Sequence, residues 1–159
     1  MTSSSGQPVS GPDRMAMTGL EFLHKLATGE IAGSPMVAAL GFRLVEVEEG
    51  RVVMTAQLDE RYNNGIGTVH GGYAATLLDT AMGSAVNSMM PAGRLMVTVE
   101  MKVNYVRSLR WQTGTVRCEA NVLHVGGRVA TAEGKITDDD GVLYAHGTTT
   151  CMSYRVSAP

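Results

Sequence analysis

From Gly72 to Met89 the chain is dominated by Ala, Leu, Met and Val, contains no proline, and carries strong helix formers throughout. The run predicts one long helix over 72–89. Its polar residues Thr76, Asp79, Thr80, Gly83 and Asn87 recur at three-to-four spacing, which leaves Leu77, Leu78, Met82, Ala85, Val86 and Met89 over the rest of the circumference. A helix that apolar must be largely buried. One sheet can cover only one of its faces, so any fold built on this chain has to wrap the helix and then find further cover for it.

The remaining sequence supplies the wrap. Val97, Val99, Met101, Val103 and Tyr105 alternate with Thr98, Glu100, Lys102 and Asn104, the period of a strand. Strands are also expected over 42–48 and 51–58, paired antiparallel across Glu48-Glu49-Gly50. Three more follow over 115–125, 128–137 and 142–155, joined as a meander by the turn-forming Gly126-Gly127 and Asp138-Asp139-Asp140-Gly141. The fold class is therefore α+β: an antiparallel sheet of five or six strands around one long helix. An amphipathic pattern from Met15 to Gly29 predicts an extra N-terminal helix, and Pro35 to Leu40 a shorter one. Residues 1–14, rich in Ser, Gly and Pro, read as a disordered tail, and 15–159 as a single domain. No repeat or internal linker divides it.

Composition removes several function classes. A net charge of -2 gives no footprint for nucleic acid, and 44% hydrophobic residues with a mean hydropathy of +0.02 are those of a globular protein. At 159 residues the chain can bury a core without disulfide staples. Cys118 and Cys151 show no C-x-x-C spacing, so a reduced, cytoplasmic setting is expected, with no metal knuckle. A charged residue interrupts every apolar run before it reaches the ~18–20 residues a membrane span needs. There is likewise no apolar core of signal-peptide length near the start.

Asp79 carries the most chemical information. Asp is a poor helix former and an ionised carboxylate is costly to bury, yet it lies mid-helix between Leu78 and Thr80. It could belong to an exposed polar stripe or bond to a neighbouring loop, as most helical acids do. Upstream, however, the Gly-rich loop Asn63-Asn64-Gly65-Ile66-Gly67-Thr68 feeds through His70-Gly71-Gly72 into the helix. A helix start presents unpaired N–H groups and partial positive charge, and glycine lets an oxyanion approach them. In isolation the glycines also fit turn geometry, and His70 a helix cap.

The run Asn64-Gly65-Ile66-Gly67-Thr68-Val69-His70-Gly71-Gly72-Tyr73-Ala74-Ala75-Thr76-Leu77-Leu78-Asp79 resembles the hotdog-fold acyl-CoA thioesterases of the phenylacetic-acid-pathway (PaaI) type, related to 4-hydroxybenzoyl-CoA thioesterases. The likeness extends through Thr98 to Tyr105 and covers about residues 40–155. It implies a homodimer with sheets joined edge to edge and active sites at the interface, and a homotetramer of two such dimers. It implies hydrolysis of acyl-CoA to free acid and CoA, with coenzyme A entering only as part of the substrate and no other cofactor or metal. Asp79 would act as nucleophile or general base, and the Gly71 N–H of the facing subunit would polarise the thioester carbonyl. Asn64 would position water or carbonyl, and His70 would order the loop or help bind the thioester beside Gly72. Thr98 matches a hydroxyl residue that assists in some relatives. Arg107, Arg110 and Arg128 are available to the CoA phosphates. One departure is Gly83, where some relatives place a hydroxyl one turn after the acid.

Rival readings are weaker. A hotdog hydratase or dehydratase needs a His–acid pair around the helix, which is not visible here. A non-catalytic acyl-CoA-binding protein would dispense with Asp79. His24, His70, His124 and His146 lack the two-ligand spacing of a metal hydrolase. Acyl specificity, aromatic or medium-chain, is left open, with Leu78, Met82 and the N-terminal helix as candidate lining.

Overall fold

The computed structural model describes residues 11–155. In order the chain forms α1 (Gly11–Ala16), α2 (Gly19–Thr28), α3 (Pro35–Ala39), β1 (Phe42–Glu48), β2 (Arg51–Gln57), α4 (Gly71–Ser88), β3 (Arg94–Tyr105), β4 (Thr115–Val125), β5 (Val129–Thr137) and β6 (Leu143–Arg155). The six strands make one sheet in the order β1-β2-β4-β5-β6-β3, every pair antiparallel. The sheet wraps α4, which is the hotdog arrangement, with the short helices at the N-terminal side. Among the described residues no helix is long and apolar enough to cross a membrane.

Helix α4 begins one residue before the predicted start and ends one before the predicted end. Leu77, Leu78, Ala81, Met82, Ala85 and Val86 are wholly buried against the sheet, together with Val52, Val116, Ala132 and Ile136. The two layers approach closely at Gly134 of β5, where a Cβ would stand 3.0 Å from Met82 Cγ and 3.2 Å from Leu78 Cδ2. Any side chain there would push helix and sheet apart, and the lost dispersion contacts would spread along the core. The second face of α4 receives α2. A Cβ on Gly19 would collide with the Asn87 carbonyl, and the Gly19 N–H donates to the Met90 carbonyl at 2.8 Å.

The N-terminal region departs from its expected form. In place of one helix over 15–29 there are two, because Thr18 starts α2 with a reciprocal cap. Its Oγ1 accepts from the Glu21 N–H at 3.2 Å, and Glu21 Oε2 accepts from the Thr18 N–H at 2.8 Å. The signal is Thr18-Gly19-Leu20-Glu21, a capping box sitting inside an otherwise periodic run. Gly11 to Arg14, placed in the tail by composition, belong to α1, which is tied down where the Gly93 N–H donates to the Met15 carbonyl at 2.8 Å. The rest of the expected tail, 1–10, and residues 156–159 lie outside the described residues.

The sheet has two edges. β1 is covered by α2 and α3, whereas β3 pairs on one side with β6 and leaves the other side open. Within β3 the pairing slips: Thr98 opposes Cys151, then Glu100 opposes Thr150, so Val99 is an extra residue, a β-bulge. The strict alternation read from the sequence is broken there, and Met96 and Thr98 share the helix-facing side with Met101 and Val103.

Candidate active site

Asp79 sits halfway along α4, half-buried, on the polar stripe that faces β3 and α2. The bulge at Val99 turns the Thr98 side chain toward it, and Thr98 Oγ1 donates to Asp79 Oδ1 at 2.8 Å. One carboxylate oxygen is thereby pinned and the other left to the cleft. Behind Thr98, Cys151 is fully buried, and burial pushes its thiol above the ordinary range; Cys118 lies deeper still and is pushed up to about 12. Both thiols are free and buried, packing groups rather than nucleophiles.

The Asp79 carboxylate lines a cleft of about 640 Å³. Its floor is the α4 stripe of Asp79, Thr80, Gly83, Ser84 and Asn87, and its roof is the apolar side of α2, with Phe22, Leu23 and Leu26. Leu78 and Met82, expected as acyl-lining residues, are instead buried beneath the helix on the sheet side and do not reach this cleft. At Gly83 the floor is bare: a Cβ would meet only Met96 Cε, at 3.4 Å.

The loop before α4 is organised by Asn64. Its Oδ1 accepts from the N–H groups of Ile66 at 3.0 Å and Thr68 at 3.2 Å, and its Nδ2 donates to Thr68 Oγ1 at 2.9 Å. The side-chain oxygen expected to position water is thus engaged in holding its own loop, which turns at Gly67 (φ +79). His70 is the N-cap of α4, accepting through Nδ1 from the Gly72 N–H at 2.8 Å, so its ring orders the helix start. Tyr73 N–H goes to the His70 carbonyl, while the Gly71 N–H has no acceptor among the described residues. Tyr105 OH donates to the Gly71 carbonyl at 3.0 Å, and the ring lies 3.3 Å from where a Gly71 Cβ would be. The ring makes a Cβ there a tight fit, while backbone conformation does not ask for glycine, since its φ is not positive.

Gly71 and Asn64 line a second cleft of about 310 Å³ together with Thr68, Tyr105, Arg107 and Ser108. Eight residues of α-helix separate Gly71 from Asp79, a rise of about 12 Å. Within one chain, therefore, the structure joins Asp79 to Thr98 and Gly71 to Asn64 and Arg107, but it does not bring the two sets together. Gly72 and His70 face a third, shallower hollow with Tyr62, Tyr73 and Thr76. Arg110 precedes the short 3-10 turn Trp111–Thr113, and Arg128 is exposed on the β4–β5 turn; neither lines any of these clefts.

Sequence reasoning passed over Arg14 and Tyr105. Arg14 Nη2 donates to Asn87 Oδ1 at 2.9 Å and its guanidinium stacks over Phe22 at 4.3 Å, closing the cleft's far end. Its signal was hidden because composition assigned residue 14 to a tail. Tyr105 was visible as a strand residue, but the bond to Gly71 is a long-range contact.

Comparison with known proteins identifies relatives by sequence and by fold. The model of the thioesterase superfamily matches residues 66–145. A protein of Halobacterium salinarum named as an esterase is 35% identical over 62% of this chain and 66% of its own length. The 1,4-dihydroxy-2-naphthoyl-CoA hydrolase of Escherichia coli is 30% identical over 78% of this chain and 86% of its own. In fold, the E. coli PaaI protein from the phenylacetic acid degradation operon superposes with a TM-score of 0.74 at 24% identity, covering 87% of this chain and 96% of that one.

Proposed function

Because this chain belongs to the thioesterase superfamily and is a thioester hydrolase, we propose that it cleaves acyl-CoA with Asp79 as the base for an attacking water. The observation that carries this reading is the Thr98–Asp79 bond on the wall of a cleft large enough for an acyl group. Thr98 fixes Oδ1, and Oδ2 takes the proton of the water as its oxygen bonds to the thioester carbon. The C–S bond then breaks, and the proton passes to the departing CoA thiolate. The negative charge developing on the carbonyl oxygen is met by the Gly71 N–H at the positive end of α4.

Asp79 and Gly71 act in this scheme from different protomers. Support comes from the open edge of β3, where Val97 is 43% and Val99 54% exposed in the isolated chain. An unpaired edge carrying apolar side chains is a template for another strand. Antiparallel pairing of two β3 edges about a two-fold axis reverses one protomer, so the start of each α4 comes toward the middle of the other. In this reading Arg107, which lines the same cleft as Gly71, meets the CoA phosphates.

Mixing tests the arrangement directly. Asp79→Ala and Gly71→Val proteins, each with little activity alone, are unfolded together and refolded at equal concentration. Random pairing makes half the dimers mixed, each with one intact site, so activity returns to about a quarter of wild type. Failure of the mixture to exceed its components, with mixed dimers present, would refute the shared site.

A further inference from the structure

The acyl cleft has a polar far end. Its floor runs along α4 from Asp79 through Gly83 to Asn87, about 12 Å of helix rise. The middle is apolar, roofed by Phe22, Leu23 and Leu26. At the end opposite Asp79 stands the half-buried Arg14, which among the described residues contacts these neutral groups: Asn87 Oδ1 at 2.9 Å, the Met17 carbonyl at 3.4 Å and the Phe22 ring at 4.3 Å. Burial lowers the guanidinium's pKa, the mark of a cation taken partly out of water. The bond from Arg14 also orients the Asn87 amide, so that its NH₂ is left to donate.

We propose that Arg14 and Asn87 recognise the distal end of the acyl group and select acyl-CoAs whose chain ends in a carboxylate. This rests on the thioesterase reading of Asp79 and names its substrate class. A carboxylate there accepts from the guanidinium and from the Asn87 NH₂, charge-assisted bonds stronger than those Arg14 makes to its neutral partners. An alkyl terminus would leave the cation as it is and gain nothing from it. The apolar middle of the cleft sets a chain of medium length, with the thioester at Asp79 and the carboxylate at Arg14.

The test compares octanoyl-CoA with suberoyl-CoA, equal in chain length and differing in the terminal carboxylate, by kcat/KM from thiol release. Wild type is expected to prefer suberoyl-CoA, and Arg14→Gln to lower the suberoyl-to-octanoyl ratio by about tenfold or more. Arg14→Lys should keep much of the preference. Arg14→Glu should transfer it to 8-aminooctanoyl-CoA, an inversion that a merely structural role for Arg14 would not produce. Both substrates are assayed on the same preparations, so loss of folded protein lowers both rates and leaves the ratio unmoved. A wild-type preference for octanoyl-CoA, or a ratio indifferent to Arg14→Gln, overturns the inference. If octanoyl-CoA hydrolysis still depends on Asp79 in that case, the thioesterase reading stands alone. Absence of hydrolysis of any acyl-CoA overturns both.

Discussion

Replacing Thr98 by Val removes one hydroxyl and keeps the side-chain shape. The bond lost is the 2.8 Å donation to Asp79 Oδ1, and hydrogen bonds to a charged acceptor are worth about 1.5–3 kcal/mol. If that bond holds the carboxylate in its productive rotamer, kcat/KM for octanoyl-CoA should fall by about ten- to a hundredfold. Stability should scarcely change. Thr98 is exposed in the chain, lies on the edge strand β3, and Val suits a strand at least as well as Thr, so folding shifts by less than ~0.5 kcal/mol. Steady-state kinetics and a thermal melt on Thr98→Val and Thr98→Ser, which restores the hydroxyl, separate the possibilities. Activity of Thr98→Val within threefold of wild type, with an unchanged melt, would show that the Thr98–Asp79 contact does not serve the reaction.

Gly71→Ala and Gly71→Val place a side chain against the Tyr105 ring, 3.3 Å from the new Cβ; Tyr105 is 56% exposed and can yield, so Tm should hold while kcat/KM falls by on the order of a hundredfold for Val. Activity falling only in proportion to folded fraction would remove Gly71 from the reaction. Val99→Lys puts like charges across the proposed β3–β3 junction and is expected to convert dimer to monomer in sedimentation, with loss of turnover; an unaltered dimer would place the interface elsewhere. At the β5–β6 turn the Val142 N–H, with Tyr144 OH and the Asp140 N–H, holds the Asp138 carboxyl below the ordinary Asp range. A depressed folded value stabilises the fold above the unfolded pKa, and that contribution is lost as pH falls through the folded one. Asp138→Ala should therefore lower Tm at neutral pH, with the gap from wild type closing in acid; a gap independent of pH would mean the carboxylate charge is immaterial.

Secondary structure was legible where a single period governs. The apolar run over 72–89 and the hairpin sequences each obey one rule, and the strands and α4 fall within a few residues of their expected bounds. Errors arose where a second signal is laid over the first. Thr18 and Glu21 interrupt a helical period that hydrophobicity alone reads as continuous, and a capping box is recognisable only if it is sought inside the run. At β3 the alternation from Val97 to Tyr105 looks uninterrupted, yet the residues facing α4 change parity at Val99. No residue type marks that bulge, since Val is a good strand former. Its consequence is chemical: without the slip, Thr98 would share a face with Glu100 and Lys102 rather than with Met101 and Val103, and could not reach Asp79 from the core side of the sheet.

For the candidate site the sequence offers residue types and an order along the chain, and no geometry. Sequence places Gly71 and Asp79 on one helix, and helix rise alone puts them about 12 Å apart, too far for one thioester carbon to serve both. In the proposed scheme, where both act on one thioester, that arithmetic calls for a second chain. The surface proposed to bring it depends on the sheet order, because β3 can be an open edge only if β6 returns between it and β5, a pairing of segments about fifty residues apart. Asn64 shows the converse. Its type and place suit a water-positioning role, but the loop it closes takes its oxygen for the Ile66 and Thr68 N–H groups, so the second Nδ2 hydrogen is what it still has to offer a substrate. A donor can polarise a carbonyl but cannot take a proton from water, which in the proposed scheme leaves the proton to Asp79.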